Sequence, residues 1–182
     1  MLETVTDGLL AELTRTATPL SEIALRLALA AVLAGVIGFE REVTRHAAGL
    51  RTHMLVSLAS ATFTIGAIEL LYWTDALQES PARVDPARAL EAITAGVAFL
   101  AAGTIIRSGQ GTKGLTTGAG MWLAGSIGLV TGIGLYAFAI ITTLIGLIIL
   151  SILRYLERLT RIKPDPKAEP GQSQQTADDS AP

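Results

Sequence analysis

Leu115–Leu153 runs for 39 residues without one charged side chain. As a single helix rising 1.5 Å per residue it would extend about 58 Å, nearly twice the ~30 Å hydrocarbon thickness of a bilayer. The run must therefore break. Thr131-Gly132-Ile133-Gly134 is the natural place, because glycine is costly inside a helix and permissive in a tight turn. Cutting there gives two spans, Leu115–Val130 and Leu135–Leu153. Cutting the rest of the chain at its charges gives three more. Ile23–Phe39 is interrupted only by Arg26, Met54–Trp73 only by Glu69, and Ala89–Ile106 only by Glu91. The expectation is an all-α fold, a polytopic helical membrane protein with five transmembrane helices. The fourth span is the shortest, and a re-entrant hairpin there is the competing arrangement.

Composition agrees. Half of the residues are apolar and 16% are charged, against roughly 25% charged in a soluble domain. That excludes a disordered chain and weighs against an ordinary soluble enzyme. The absence of cysteine excludes disulfides and thiolate metal sites. A net charge of −2 offers no concentrated basic face for nucleic acid.

The domain plan follows from the spans. Residues 21–156 form the transmembrane domain. In residues 1–20, Leu2, Val5, Leu9 and Leu13 recur at helical spacing, which suits a short interfacial helix; a frayed terminus is the alternative. Residues 164–182 are rich in Pro, Gln, Asp and Ser and read as a disordered tail. Thr18-Pro19 and Asp85-Pro86 each place a capping side chain before a proline suited to the first helical position.

Basic residues in short loops favour the cytoplasm. Arg41, Arg45, Arg51, Arg107, Lys113, Arg154, Arg158, Arg161, Lys163 and Lys167 fall on one side, and Arg15, Arg83 and Arg88 on the other. Ten against three puts the N-terminus outside and the C-terminus in the cytoplasm. The positive charge follows the first apolar stretch, which argues against a cleaved signal peptide. Tyr72, Trp73 and Tyr136 then sit at the outer interface and Tyr155 at the inner one.

Arg26, Glu69 and Glu91 are ionisable groups inside apolar spans. At a span's centre such a group costs at least ~2.5 kcal/mol on insertion scales, which makes it a functional candidate. All three lie toward the outer ends, where they can snorkel to headgroup water. The sharper reading is an outer cluster with Asp85 and Arg88, forming ion pairs or a shallow cation vestibule. On the cytoplasmic side, Glu40-Arg41-Glu42 leaves the first span and Gly49-Leu50-Arg51-Thr52-His53 enters the second. His46 and His53 make no metal motif without a third ligand. Arg107–Gly114 lacks phosphate-loop spacing and reads as a tight cytoplasmic turn. Gly114 and Gly118, and Gly128 and Gly132, are each four apart, suiting close helix packing through small residues. No nucleophile–base pair can be assembled, and no cofactor motif is present.

The loops carry a resemblance. Gly38-Phe39-Glu40-Arg41-Glu42 with Ala48-Gly49-Leu50-Arg51-Thr52-His53 resembles the first signature of the MgtC/SapB family. Asp85-Pro86-Ala87-Arg88, continuing through Gly96 to Gly103, resembles a second, and Gly114-Leu115-Thr116-Thr117 with Trp122 a third. The resemblance covers roughly residues 20–155. It implies a multi-pass protein of the bacterial inner membrane, associated with growth at low magnesium. It also implies a non-enzymatic regulator of membrane energetics or ion homeostasis, with ATP synthase as a membrane-protein partner in some members. Direct transport of Mg2+ or H+ by a homo-oligomer is the alternative. The chain departs from the pattern at Ala92, where glutamine is usual, and at Ala98 and Ala101, where glycine is usual. The soluble domain of longer members is replaced by the tail.

Overall fold

The computed structural model describes residues 15–76, 85–108 and 111–160. The interfacial helix expected before residue 15 and the tail expected at 164–182 lie outside them. Five helices are described: α1 Leu20–Val43, α2 Leu50–Ala76, α3 Pro86–Gly103, α4 Leu115–Ile133 and α5 Tyr136–Thr160. A two-stranded antiparallel hairpin, β1 Ile106–Ser108 and β2 Gly111–Lys113, joins α3 to α4. It stands where the sequence suggested only a tight turn. Three of the helices are long and apolar enough to cross a membrane, over Leu20–Val43, Leu50–Thr74 and Tyr136–Leu156. α3 opens with Pro86, Arg88 and Glu91, and α4 is rich in glycine and threonine, so both are less apolar.

The long uncharged run breaks as expected. Gly134 ends α4 with φ 97°, and the N–H groups of Gly134 and Leu135 close on the carbonyls of Thr131 and Val130. This is the left-handed helix end that favours glycine. Gly132 remains inside the helix. The Asp85 cap is present: its carboxylate accepts from Ala87 N at 2.9 Å. The Thr18 cap is not. Pro19 occupies the cap position in an extended conformation (φ −54°, ψ 137°), and its carbonyl accepts from Glu22 N and Ile23 N.

α4 is the inner helix of residues 15–149, packed against α1, α2 and α3. Its glycines explain how. A Cβ at Gly128 would overlap the Ser57 carbonyl of α2, and one at Gly132 would lie 2.9 Å from the Ala61 carbonyl. On another side, a Cβ at Gly125 would meet Val97 of α3 at 2.7 Å. Backbones thus approach through small residues, as in membrane bundles. α5 joins through Gly146, whose Cα faces Leu123 and Ile37. The core is made of small side chains, among them Ala30, Ala34, Ala61 and Ala124, with Ile37 and Ile127. Its hydroxyls are mostly tied to backbone: Ser57 donates to Ala30 O across α1–α2 at 2.8 Å, and Thr131 to Ile127 O at 2.6 Å. Residues 150–160 continue α5 as a separate unit, with Ile152, Tyr155 and Leu156 exposed.

Candidate functional site

The residues expected in the first cytoplasmic loop are mostly helical. Glu40, Arg41 and Glu42 form the last turn of α1, and Arg51, Thr52 and His53 the first turn of α2. The connection is only Thr44–Gly49. It stays short because Gly38 lets α1 cross α2 closely: a Cβ there would lie 2.8 Å from Leu50 Cα. Glu42 is exposed, and its carboxylate accepts from Leu50 N at 3.0 Å, satisfying a free donor at the start of α2. Gly49 lies against that carboxylate, and a Cβ there would push the Glu42 side chain aside.

This crossing buries charge. Arg41 is 4% exposed and His53 1%. Arg41 donates from NH1 to His46 Nε2 at 3.0 Å. A guanidinium can only donate, so His46 Nε2 is the acceptor and Nδ1 carries the proton. Nδ1–H then donates to Thr44 Oγ1 at 2.6 Å. His53 Nδ1 lies 2.9 Å from Gly49 O, and a carbonyl only accepts, so this nitrogen also carries a proton. His53 Nε2 and Arg41 Nε and NH2 are buried without hydrogen-bond partners. Glu40 Oε2 lies 3.8 Å from Arg41 Nε, an ion-pair distance but not a hydrogen bond. Gly120 of α4 closes the layer: a Cβ there would lie 3.2 Å from His53 Nε2 and 4.0 Å from Arg41 Nε. Thr117, one turn earlier, is also buried. The first and third sequence blocks therefore meet in a layer of Glu40, Arg41, His53, Thr117 and Gly120. Its polar atoms exceed its internal bonds, so the burial of this layer is costly.

The remaining residues of those blocks surround it. Arg51 and Thr116 are exposed and Thr52 is half-buried. Gly114 adopts φ 88°, with no room for a Cβ beside the Thr104 carbonyl, so the turn from β2 into α4 needs glycine. Trp122 is exposed on α4, beside a groove shared with α3. The second block stands apart. Asp85, Arg88, Gly96 and Gly103 are all exposed, and a Cβ at Gly96 or Gly103 would meet nothing within 4 Å.

The three charges expected inside apolar spans do not converge. Arg26 pairs with Glu22 and donates from NH1 to Gly132 O at 2.7 Å, binding α1 to the end of α4. Glu69 accepts from Ala17 N at 2.7 Å and Thr18 N at 2.8 Å, anchoring the segment before α1. Arg15 lies 4.6 Å over the Trp73 ring nearby. Glu91 is exposed on α3. Sequence reasoning did not find the buried hydroxyls of Ser57, Ser60 and Thr64, although their i, i+3, i+7 spacing marks one face of α2. Gly120 carried no signal by itself. Among the described residues, no group of three His, Asp or Glu is placed to hold a metal ion.

A bundle of apolar helices with a buried guanidinium–imidazole layer at one end defines a helical membrane protein, not a soluble domain. The family model for the MgtC family matches residues 27–159. The chain belongs to that family. It is 37% identical over 136 residues to the putative magnesium transporter YhiD of Escherichia coli K12, covering 75% of this chain and 62% of that one. It is 36% identical over 138 residues to protein MgtC of Brucella abortus, covering 76% and 54%. To protein SapB of Bacillus subtilis it is 36% identical over 145 residues, covering 79% and 61%. The matches thus span between about half and two thirds of these relatives' lengths. No solved structure matches the chain.

Proposed function

We propose that this chain is a non-enzymatic regulator in the bacterial inner membrane, linked to magnesium or ion homeostasis and acting through contacts with other membrane proteins. It crosses the bilayer five times, with the N-terminus outside. ATP synthase is the partner that the family resemblance suggests. The observation that carries the regulator reading is the middle of the bundle. Between the Arg26 level and the Arg41–His53 layer, α1, α2 and α4 present no charged side chain. Their contacts run through alanine, glycine and backbone-bonded hydroxyls. A charged side chain at that depth is what marks an ion pathway in a helical membrane protein.

Direct transport is the second reading, favoured by the name of the Escherichia coli relative, a putative magnesium transporter. Flux into liposomes separates the two. Purified wild-type protein is expected to pass neither Mg2+ nor protons above empty liposomes. Its cellular effect is expected to disappear on Arg41→Ala. Robust flux through wild-type protein, lost in Glu69→Gln/Glu91→Gln, overturns the regulator reading.

A further inference from the structure

The β1–β2 hairpin has little support from the helices. A lone pair of such short strands is marginal in water, and each strand packs chiefly against the other. Ile106, Arg107, Gly111, Thr112 and Lys113 are all exposed. The base of the hairpin, by contrast, is fixed. Thr104 N and Ile105 N close on the carbonyls of Ala101 and Ala102 at the end of α3. Gly114 and Gly118, at the start of α4, lie against the carbonyls of Thr104 and Ala101. The hairpin therefore projects from one end of the α3–α4 pair, the end that also holds the Arg41–His53 layer.

Its polarity is graded along its length. Ile105 and Ile106, 40% and 66% exposed, come first after α3. Arg107 follows, and residues 108–111 are uncharged and small or polar. On the return strand Thr112 pairs with Arg107 and Lys113 with Ile106, so each face carries one cation. Lys113 stands level with Ile106, and its long stem carries its ammonium outward. Apolar residues next to the helix, then cations, then uncharged polar residues follow the depth order of a bilayer surface, from hydrocarbon through phosphate to water. The size fits too. Three strand residues rise about 10 Å, against roughly 5–8 Å of headgroup layer in each leaflet.

Charge selects the headgroup. Arg107 and Lys113 are the only charged residues between Glu91 and Arg154. Among the described residues neither is in an ion pair. Two uncompensated cations at phosphate depth favour anionic lipid.

We propose that the hairpin is an anionic-lipid docking element. It stands in the headgroup layer, with Ile105 and Ile106 toward the acyl chains and Arg107 and Lys113 on lipid phosphates. The proposal rests on α3 and α4 spanning the bilayer, and it holds for a regulator and a transporter alike.

The chain has no cysteine, so single cysteines in the purified full chain report on the hairpin in proteoliposomes. Thr112→Cys leaves both isoleucines and both cations in place. Its rate of reaction with an uncharged, water-soluble maleimide is read relative to Ala47→Cys, exposed in the α1–α2 connection at the same end of the bundle. Each cation near an anionic surface is worth about five-fold, so the ratio is expected to be about ten-fold lower in phosphatidylcholine vesicles with about one-third phosphatidylglycerol than in phosphatidylcholine alone. Arg107→Gln/Lys113→Gln is expected to remove the difference and Arg107→Lys to keep it, and about 1 M salt to weaken it. Equal ratios in the two vesicles, or protection that survives the double glutamine variant, overturn the proposal. So does protection in native membranes without protection in the anionic vesicles, which would assign the hairpin to an acidic protein. Phe99→Cys, on the exposed side of α3, is expected to react slowly in both vesicles. Fast reaction there overturns the five-span arrangement and the proposal with it. Slow reaction at Phe99→Cys with fast reaction at Thr112→Cys in the anionic vesicles overturns the proposal alone.

Discussion

Arg26 of α1 donates from NH1 to the carbonyl oxygen of Gly132, 106 residues further along the chain, at 2.7 Å. The bond lies where α4 runs out of intrahelical donors for its last carbonyls, and a cation there also suits the helix dipole. Glu22 holds the guanidinium from the other side. Arg26→Leu is expected to lower stability in detergent by about 1.5–3 kcal/mol, the range for a hydrogen bond to a charged group. A thermal unfolding curve checks this. An unchanged midpoint would mean that Arg26 merely reaches headgroup water.

The α2–α4 contact should be the least forgiving in the bundle. Gly128→Ala places a methyl group against the Ser57 backbone, which cannot give way as a flexible side chain would. Overpacking of this kind costs about 1–3 kcal/mol or more. Gly66→Ala on the same α2 meets nothing within 4 Å, and it should be neutral or stabilising by up to about 1 kcal/mol through helix propensity. Parallel melting should show a lowered midpoint for Gly128→Ala and none for Gly66→Ala.

Glu69 is expected to act as an anchor. Glu69→Ala removes the acceptor for Ala17 N and Thr18 N and should speed hydrogen exchange at those two amides by about ten-fold or more. Exchange at core amides such as Ala124 should stay as slow as before. Global acceleration would show that Glu69 supports the whole bundle.

Reporter fusions test the orientation. Fusions after Arg45 and after Lys163 should read cytoplasmic, and one near Gln78 external, as the ten-to-three basic bias requires. An even number of crossings between Gln78 and Lys163 would exclude five spans.

What was legible in the sequence was local. The Gly134 break, the Asp85 cap and the close approach at Gly128 and Gly132 follow from a residue type and its immediate spacing. The contacts that define the site are long-range and leave no local trace. Glu69 answers Thr18 across 51 positions, and Gly120 meets His53 across three helices' worth of chain. Thr18 was misassigned as a cap because Pro19 can satisfy the same donors with its own carbonyl. The hairpin at Ile106–Lys113 escaped because three-residue strands are too short to show alternation. The charged blocks Glu40–Glu42 and Arg51–His53 look like loop by composition, yet extend α1 and α2 and bury Arg41 and His53.

In the five-span arrangement proposed above, the glycines of α4 set entry into the bilayer against assembly. A segment partitions into lipid in proportion to its apolar surface, and five glycines deprive Leu115–Ile133 of much of that surface. Replacing Gly125 or Gly128 with leucine would make the segment better at inserting alone and unable to seat against Val97 or Ser57. α4 is thus best held in the membrane once its neighbours surround it. A biogenesis assay that follows α4 without α1–α3 should find it poorly retained, although it is the most enclosed helix of the finished protein.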